Sequence, residues 1–384
     1  PVLIDGDNNI IAGHGRVEAA RLLKLEQVPV IYLKHLNEAQ KRAFMIADNK
    51  LAENAGWDTE LLQAELECIT ELDSEFDLGL TGFEVPEIDL LLAGEEESDT
   101  ADRNIPEPEE AVITEPGDLW FLGEHRLLCA DATQPDSFGK LMDGKKAKMV
   151  FTDPPYNVAV NGHICGKGRT KHDEFKMASG EMSEEEFTEF LARTFDSLCQ
   201  VSVDGALHYI CMDWRHIKEL MAAAACYTEL KNLCVWNKSN GGLGSFYRSK
   251  HELVFVYKHG KRSHTNNVAL GRHGRYRTNV WDYAGVNTFE NAENLEMHPT
   301  VKPVAMIQDA ILDCTKRGDI VLDAFGGSGS TLIAAERCRR KARLLELDPQ
   351  YCDVIIRRYQ EFTGNPVTHE NRFTFNERKE SHNE

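Results

Sequence analysis

The sequence predicts an α/β fold with an open, mostly parallel sheet, preceded by a smaller α+β unit. Two apolar runs, 148–152 and 320–322, have the composition of buried strands, and each is followed by an aspartate. The second run leads through a glycine-rich turn into a helical pattern that begins near Ser330. Open sheets of this class bind ligands at the carboxyl ends of their strands, so these two strand ends form the predicted site.

Further elements are predicted in order along the main domain. A polar loop at 157–182 precedes a helix at 183–200, which starts with the capping box of Ser183 and Glu186. The elements that follow are a strand at 206–212, a helix near 214–226, a hairpin of strands 231–237 and 252–258, an irregular polar segment at 259–297, a helix at 303–316 and a last strand at 342–346.

Composition divides the chain into three parts. Residues 1–93 are predicted to form the smaller unit, the acidic and proline-containing residues 94–111 a flexible linker, and residues 112–384 the main domain. Of the net charge of −20, residues 1–100 carry −15, from 7 Lys and Arg against 22 Asp and Glu. The chain begins at Pro1, without Met and in the middle of a predicted strand, so we expect part of the natural N-terminus to be missing.

The composition argues against several classes of protein. The 10 cysteines are scattered without Cys-x-x-Cys pairs or metal-ligand spacing, which predicts reduced thiols and no metal site. No apolar run approaches the length of a membrane span and no signal segment is visible, so we expect no membrane association. We expect a cytoplasmic protein.

The predicted catalytic motif consists of Asp153, Pro154, Pro155 and Tyr156. The two prolines fix φ and lack N–H groups, so the chain leaves the strand in one direction. The exocyclic amine of adenine is a poor nucleophile, because its lone pair is delocalised into the ring. The Asp153 carboxylate and the Pro154 carbonyl can accept its two N–H bonds and free that lone pair, while the Tyr156 ring can hold a base taken out of the stack.

The strand that ends at residue 323 predicts a cofactor site. The turn after it contains Phe325, Gly327, Ser328 and Gly329, and its glycines allow a ligand to approach the backbone. Glu346 ends another strand about 20 residues on, the spacing expected for a carboxylate that binds ribose hydroxyls. The turn lacks Gly-Lys-Ser/Thr, so it does not predict a Walker-type phosphate loop. The glycines alone do not exclude a nicotinamide cofactor.

Roughly residues 112–375 resemble the S-adenosylmethionine-dependent DNA amino-methyltransferases in which the catalytic motif precedes the cofactor motif. The resemblance rests on the two motifs and on segments 127–132, 298–303 and 346–351. It implies a Rossmann-like class I methyltransferase sheet with a circularly permuted motif order. It also implies cofactor contacts for Asp131, Lys302, Asp323, Phe325, Gly327, Ser328, Gly329, Glu346 and Asp348.

The resemblance also implies a substrate. In this family an aspartate in the catalytic motif usually goes with adenine, and a serine more often goes with cytosine. We therefore expect methylation of the N6 amine of adenine in double-stranded DNA, with cytosine N4 as the runner-up. A competing hypothesis is a nucleotide-controlled DNA-binding module without catalysis. The presence of Asp153, Tyr156, Asp323 and Glu346 favours the enzyme. With the resemblance we also expect bacterial or phage origin and association with the nucleoid.

A basic stretch at 231–280 predicts the DNA contacts. It carries ten Lys and Arg against one acid, Glu252, a net charge of +9. It also includes five aromatic residues, Trp236, Phe246, Tyr247, Tyr257 and Tyr276. Such a mixture is typical of phosphate contact and base stacking. We expect the target-recognition region at about 238–297, with contacts from Lys238, Arg248, Lys250, Arg272, Arg275 and Arg277. A second basic patch, within the polar loop, consists of Lys167, Arg169, Lys171 and Lys176.

The N-terminal unit resembles the ParB family and its sulfiredoxin-like relatives. Gly13, Gly15 and Arg16 lie in a turn between a short strand and a helix predicted at 17–24. The resemblance implies that this turn binds a nucleotide phosphate, and a helix N-terminus with a neighbouring arginine suits anions in general. The alternative is a glycine turn whose arginine makes a local ion pair. Helices are predicted over 37–93, and a homodimer is a further expectation.

Overall fold

The computed structural model describes residues 1–45, 59–72, 76, 78–92, 105–109, 111–158, 180–239, 241, 246–271, 275–285 and 301–383. The chain divides into two compact units, Pro1–Gly94 and Glu95–Glu384. Among the described residues, no helix is long and apolar enough to cross a membrane, and no group of His, Cys, Asp and Glu is arranged to hold a metal ion.

The first unit contains a three-stranded sheet in the order β2-β1-β3. Its strands are β1 Val2–Ile4, β2 Ile10–Ala12 and β3 Val30–Tyr32. β1 pairs antiparallel with β2 and parallel with β3. The helices are His14–Leu22, residues 38–45, Thr59–Leu72 and Val85–Leu92. Leu66, Leu78 and Ile88 form a small core of this unit.

The second unit is built on a ten-stranded sheet in the order β10-β8-β9-β7-β6-β11-β12-β5-β4-β13. Its strands are β4 Leu119–Leu122, β5 His125–Cys129, β6 Ala147–Thr152, β7 Ser202–Met212, β8 Glu229–Asn237, β9 His251–Lys258, β10 Val280–Asp282, β11 Ile320–Asp323, β12 Lys341–Glu346 and β13 Val367–His369. Its helices are Pro135–Met142, Glu184–Gln200, Ile217–Ala223, Val304–Cys314, Ser330–Arg337, Pro349–Thr363 and Phe375–Asn383.

The direction of winding changes between β6 and β11. From β6 the chain passes through the helix Glu184–Gln200 to β7 on one side, and from β11 it passes through the helix Ser330–Arg337 to β12 on the other. The three central strands β6, β11 and β12 are parallel. The segments that follow β6 and β11 therefore leave adjacent strand ends in opposite directions, which opens a crevice for a ligand. The two predicted motifs occupy these segments.

Alternate residues of the central strands face two hydrophobic layers. Met149 and Phe151 of β6 pack in a core that includes residues of the helix Val304–Cys314, whereas Val150 packs in a core with the helix Glu184–Gln200. This period of two, buried on both faces, is the pattern of strands in an α/β sheet. The predicted α/β class is confirmed, and the sheet provides a rigid base for the loops at its carboxyl edge.

Several local predictions are confirmed and others are wrong. The capping box of Ser183 and Glu186 is present, and β8 and β9 pair as the expected antiparallel hairpin. The helix expected near 214–226 is shorter, because 3-10 turns flank Ile217–Ala223 on both sides. The segment expected to be irregular contains β10, which pairs parallel with β8. Strands β4 and β13, which were not predicted, extend the opposite edge of the sheet.

Candidate active site

Asp153, directly after β6, lies in a cluster of charged and aromatic side chains. Its Oδ1 accepts a hydrogen bond from the Tyr156 hydroxyl at 2.5 Å, and its Oδ2 accepts one from Lys302 Nζ. Lys302 Nζ also lies 3.1 Å from Glu252 Oε2. Both oxygens of the predicted catalytic carboxylate are therefore bonded in this structure, one to a phenol and the other to an ammonium group.

Glu252 of β9 belongs to this cluster but was not among the predicted site residues. Its carboxylate forms ion pairs with Lys302 and Lys238, and its Oε2 accepts a hydrogen bond from the Tyr156 hydroxyl at 3.4 Å. A signal was present in the sequence, because Glu252 is the one acid in the basic stretch 231–280. The ion pair also places Lys238, a predicted DNA contact, in the active site.

Two lysines of the cluster lie against aromatic rings. Lys302 Nζ is 5.7 Å from the centre of the Tyr156 ring and 5.9 Å from that of Trp236, and Lys238 Nζ is 4.5 Å from the centre of Trp236. Ring faces attract ammonium groups over such distances. Trp236 Nε1 donates to the Tyr283 carbonyl at 2.9 Å, which fixes the ring. Trp236 was predicted only as one of the aromatic residues of the basic stretch, and the structure places it in this cluster.

Burial and neighbouring charges shift the pKa values of this cluster in different directions. Burial, together with Glu252, raises the pKa of Asp153, although Lys302 opposes the rise. Burial also tends to raise the pKa of Glu252, but Lys302 and Lys238 outweigh it and lower that pKa to about 2. The pKa of Lys302 is raised, because attraction to Asp153 and Glu252 outweighs its burial. Of the two acids, Asp153 is therefore the one that takes up a proton more readily.

Asp323, at the end of β11, lies beneath the glycine turn. Its Oδ1 accepts from Thr152 Oγ1 at 3.0 Å and from the Phe325 amide at 3.1 Å, and its Oδ2 accepts from Thr331 Oγ1 at 2.6 Å. Burial raises its pKa to about 7 despite these bonds. Because Asp323 is 4% exposed and bonds to the Phe325 amide and to Thr331, on the two sides of the turn, its contacts favour positioning of the turn over a direct contact with the cofactor. Phe325 is partly buried, with its ring centre 6.0 Å from that of Phe190.

Glu346 joins the end of β12 to the same turn. Its Oε2 accepts from the Gly327 amide at 2.7 Å and its Oε1 accepts from the Asp348 amide at 2.9 Å. Burial raises the pKa of Glu346 to about 7. Asp348 caps the next helix, since its Oδ1 accepts from the Gln350 amide at 3.0 Å. Of Glu346 and Asp348, Glu346 is the better placed for a ligand at the turn, because it contacts the Gly327 amide whereas Asp348 caps a helix.

The glycines of the turn have two different roles. Gly327 has φ 50°, and a Cβ there would meet no atom closer than 4.0 Å, so the backbone is open to an approaching ligand. Gly329 has φ 84°, and its Cβ would lie 3.2 Å from Ile355 Cγ1, so it makes room for helix packing. The buried Arg358, which was not predicted, donates from Nη1 to the Ser328 carbonyl at 2.9 Å and supports the turn.

Three acids follow three neighbouring parallel strands. Asp131 follows β5, Glu346 ends β12 and Asp323 ends β11, and these strands are adjacent in the sheet. The Asp131 carboxylate is oriented by Thr133, whose amide and hydroxyl both donate to Oδ1, at 2.7 and 2.8 Å. Asp131 and Glu346 therefore provide two carboxylates along one edge of the sheet, beside the open backbone of Gly327. Carboxylates in this arrangement can accept hydrogen bonds from the hydroxyl and amino groups of a cofactor with a nucleoside part.

Asn157 joins the two ends of the polar loop after the catalytic motif. Its Nδ2 donates to the Met182 carbonyl at 2.8 Å, and its Oδ1 accepts from the Gly180 and Met182 amides at 3.1 and 3.2 Å. Pro154 is buried and Pro155 partly buried, so the segment before Asn157 is packed. The predicted patch of Lys167, Arg169, Lys171 and Lys176 lies outside the described residues.

Arg275 and Arg277 pair with acids of the helix Val304–Cys314, which argues against the prediction that they contact DNA. Arg275 Nη2 lies 2.8 Å from Asp313 Oδ1, and Arg277 Nη1 lies 3.0 Å from Asp309 Oδ2. Their side chains are 6% and 18% exposed. Arg277 Nη1 also donates to the Tyr283 hydroxyl at 2.8 Å. Guanidinium groups paired in this way are unavailable to phosphate, and they instead anchor their segment to the helix Val304–Cys314.

The remaining predicted contacts have different surroundings. Arg248 and Lys250 are exposed, and Arg248 Nη2 donates to the Gly241 carbonyl at 2.6 Å. Arg272 lies outside the described residues. In the N-terminal unit, Gly13 precedes the helix His14–Leu22 with φ 99°, Gly15 and Arg16 are exposed, and Arg16 Nη1 donates to the Pro1 carbonyl at 3.2 Å.

Comparison with known families gives two matches. A family model described as DNA methylase matches residues 147–357, which is more than half of the chain and includes both motifs. A model described as the ParB-methyltransferase HTH domain matches residues 60–116. The second match runs through the segment 94–111 that was predicted to be a linker.

The chain is also similar to curated proteins. The chain is 26% identical over 249 residues to the type II methyltransferase M.HinfI of Haemophilus influenzae, covering 59% of this chain and 67% of that protein. It is 26% identical over 229 residues to the type II methyltransferase M2.MboI of Moraxella bovis, covering 56% and 81%. It is 23% identical over 244 residues to the DNA adenine methyltransferase YhdJ of Escherichia coli, covering 57% and 78%.

Two solved structures are also similar. One is the complex of M1.HpyAVI with SAM, at 20% identity and a TM-score of 0.44, covering 60% of this chain and 97% of that one. The other is the cytosine-N4-specific PvuII DNA methyltransferase, at 15% identity and a TM-score of 0.44, covering 61% and 86%.

Proposed function

The chain belongs to the DNA methylase family, and from this premise we propose that it transfers a methyl group from S-adenosylmethionine to the N6 amine of adenine in double-stranded DNA. The observation that carries the proposal is the Asp153 carboxylate in its cluster with Tyr156, Lys302 and Glu252. Thr152, the residue before it, donates to Asp323 at the base of the glycine turn. The amine that accepts the methyl group and the cofactor that donates it would therefore bind in the same crevice.

Asp153 would act by accepting a hydrogen bond from the target amine. Its two oxygens already hold two donors, so the carboxylate is oriented before the substrate arrives. An entering amine would take the place of Lys302 at Oδ2, and Lys302 would keep its ion pair with Glu252 at 3.1 Å. A preoriented acceptor in a site shielded from water favours the geometry in which the lone pair of the amine is free to attack.

Tyr156 would stack on the flipped base. Its hydroxyl donates to Asp153 at 2.5 Å, and this bond fixes the orientation of the ring. Burial and the charges of Asp153 and Glu252 raise its pKa well above the ordinary value, so the hydroxyl remains a neutral donor. Stacking of a base on an aromatic ring contributes roughly 1–3 kcal/mol. The ring would thus hold the base while Asp153 receives its amine.

S-adenosylmethionine, when bound, supplies an electrophilic methyl group. Glu346 and Asp131 would bind its ribose hydroxyls and its adenine, because their carboxylates follow adjacent strands at the carboxyl edge of the sheet. Gly327 leaves the backbone of the turn open to it, and Asp323 with Arg358 keeps the turn in shape. The residues present fit this cofactor.

Two features support adenine over cytosine N4. The catalytic motif begins with an aspartate, and the relative YhdJ is named for adenine. Expression in a host without DNA methylation, followed by single-molecule sequencing, tests the proposal. N6-methyladenine at a recurring short sequence, absent with Asp153→Ala, supports it. N4-methylcytosine would establish the runner-up, and an unmodified genome despite cofactor binding would leave a DNA-binding module.

We further propose that Gly13, Gly15 and Arg16 bind the phosphate of a nucleotide. The left-handed conformation of Gly13 at the start of the helix His14–Leu22 and the exposed guanidinium of Arg16 support this, because helix N-termini and arginines attract anions. Calorimetry with a nucleoside triphosphate tests it, with Arg16→Ala as the variant that should lose binding. Unchanged binding by the variant would place the nucleotide elsewhere.

A homodimer is a separate proposal. It is supported by β3, an edge strand of the first unit, where Val30, Ile31 and Tyr32 are 41%, 48% and 49% exposed. Exposed apolar edge strands tend to pair with another chain. Sedimentation velocity of the full chain tests the proposal, and Ile31→Lys should shift a dimer towards the monomer. A wild-type protein that sediments as a monomer at all concentrations would exclude it.

A further inference from the structure

Two neighbouring aromatic side chains, Phe246 and Tyr247, are exposed in the connection between β8 and β9. They are 86% and 82% exposed, and their rings meet edge to face with centres 4.6 Å apart. Large apolar rings at such exposure contribute little to the stability of the fold. A contiguous pair of them is typical of a surface that is buried in a complex.

The connection that carries the pair is anchored in the active site. Lys238, just after β8, forms an ion pair with Glu252 near the start of β9, and Glu252 contacts Lys302. The Lys238 amide donates to the Lys250 carbonyl at 2.9 Å, which continues the pairing of the hairpin beyond its strands. Tyr247 is three residues from Lys250, so its backbone lies within about 11 Å of that paired position. The backbone that carries the rings is therefore close to the end of the hairpin from which Lys238 and Glu252 enter the catalytic cluster.

Charge indicates what kind of partner covers the pair. Arg248 and Lys250, which follow directly, are exposed cations, and the whole stretch 231–280 has a net charge of +9. The bond from Arg248 Nη2 to the Gly241 carbonyl holds the base of the connection together. Cations beside stacked rings match a polymer of phosphates and bases, because phosphates bind the cations and bases stack on the rings.

Methyl transfer at Asp153 requires a distortion of the DNA that such rings can stabilise. The Asp153 side chain is 25% exposed and is in contact with Tyr156 and Lys302, so it cannot reach an amine inside a duplex. The target base must turn out of the helix, which leaves a gap in the stack. Apolar side chains inserted between bases are a known way to stabilise such distorted DNA.

We propose that Phe246 and Tyr247 enter the DNA at the target site and fill the gap that the flipped base leaves. This inference rests on the proposed function and names the residues that would make base flipping favourable. The pair acts on the population of flipped DNA and leaves the chemistry to Asp153. Its effect should therefore depend on how firmly the target base is paired.

The experiment compares the full chain on two duplexes that carry the recognition sequence found by sequencing. One duplex is fully paired, and the other has an abasic site opposite the target base, which removes its pairing partner. In single-turnover assays we expect the double variant Phe246→Ala/Tyr247→Ala to lose about 10- to 100-fold in methyl transfer on the paired duplex, as the loss of a stacked ring predicts. On the abasic duplex the same variant should come within about threefold of the wild type.

Two controls separate insertion from misfolding. Phe362→Ala removes another exposed ring, 41% exposed on the helix Pro349–Thr363, and should leave both rates unchanged. Exchanging the pair, Phe246→Tyr with Tyr247→Phe, keeps both rings and should retain activity. Calorimetry of the double variant with S-adenosylmethionine should give the wild-type affinity.

An equal loss on the two duplexes, or no loss on the paired one, would overturn the inference. The first result would mean that the rings help to bind DNA or to hold the loop without regard to flipping, and the second that they have no part in the reaction. If sequencing finds no site that the wild type methylates, the proposed function fails, and the inserted pair with it.

Discussion

The ammonium group of Lys302 is bonded to the carboxylate of Asp153, although the two residues are 149 positions apart in the chain. Lys302 comes just before the helix Val304–Cys314, and Asp153 comes just after β6. Glu252 completes the arrangement, so two carboxylates share one buried ammonium group. Lys238 also pairs with Glu252, so two carboxylates face two ammonium groups. Removal of any one of these four would leave an unbalanced and largely buried charge, which is costly.

Asp153→Ala should abolish most of the methyl transfer but leave cofactor binding intact. The loss of a preoriented hydrogen-bonding partner in a shielded site costs roughly 3–4 kcal/mol, or about 100- to 1000-fold in rate. Single-turnover assays with saturating cofactor measure the rate, and calorimetry measures the affinity. Asp143→Ala, at an exposed acid, is the control. Turnover by Asp153→Ala comparable to the wild type would refute the catalytic assignment.

Lys302→Met should move the acidic limb of the pH–rate profile to higher pH. Burial and Glu252 raise the pKa of Asp153, and Lys302 is the group that opposes this rise. Without Lys302 that pKa rises further, so a higher pH is needed to obtain the reactive carboxylate. Lys238→Met should move the limb less, because Lys238 contacts Glu252 instead. A limb that stays in place or moves to lower pH would contradict this account.

Glu346→Ala should weaken binding of S-adenosylmethionine by about tenfold or more, as the loss of hydrogen bonds to a charged group predicts. Asp323→Ala should also weaken it, through the shape of the turn that Asp323 supports. Binding of DNA should remain close to the wild type in both variants. Glu124→Ala, an exposed acid at the opposite end of β5, is the matched control. If calorimetry shows unchanged affinity for both variants, the cofactor site has been misplaced.

Asp323→Asn should stabilise the cofactor-free protein at alkaline pH. Burial raises the pKa of Asp323 to about 7, so between its unfolded pKa and 7 the folded state holds a proton that the unfolded state has lost. The contribution of Asp323 to stability therefore falls as pH rises through this window. At pH 8 the variant should exceed the wild type by up to about 4 kcal/mol, and near pH 4 the difference should vanish. Urea unfolding at the two pH values measures it, and a larger difference in acid would refute it.

Arg248 and Arg277 should differ in their effects on DNA binding. Arg248→Ala should lower the slope of log affinity against log salt by about 0.9, the value for one phosphate contact, and Lys250→Ala should act similarly. Arg277→Ala should leave the slope unchanged and lower the free energy of unfolding by about 1.5–3 kcal/mol, because Asp309 and Asp313 lose one charged hydrogen-bond partner but keep Arg275. Titrations at several salt concentrations and urea unfolding measure the two quantities. A lower slope with Arg277→Ala would restore it to the DNA surface.

Much of the predicted fold and site rests on sequence patterns within short segments of the chain. The apolar run before Asp153, the glycine turn after β11 and the capping box at Ser183 each depend on residues that are close in the chain, so their conformations follow from short-range sterics and hydrogen bonds. Strand β10 and the edge strands β4 and β13 are short, and they form by pairing with distant partners. Their sequences carry too weak a signal of their own.

The sequence by itself determined the class of fold, the two motifs and the family, because these depend on residue types at short spacing. Only the tertiary structure decided what each charge does. Arg275 and Arg248 look alike in a basic stretch, yet one lies 2.8 Å from Asp313 and the other is exposed. Glu252 and Lys302 acquire their roles from a contact at 3.1 Å between residues 50 positions apart (302 − 252). Electrostatic interactions depend on distance and burial in space, which residue spacing along the chain does not reveal.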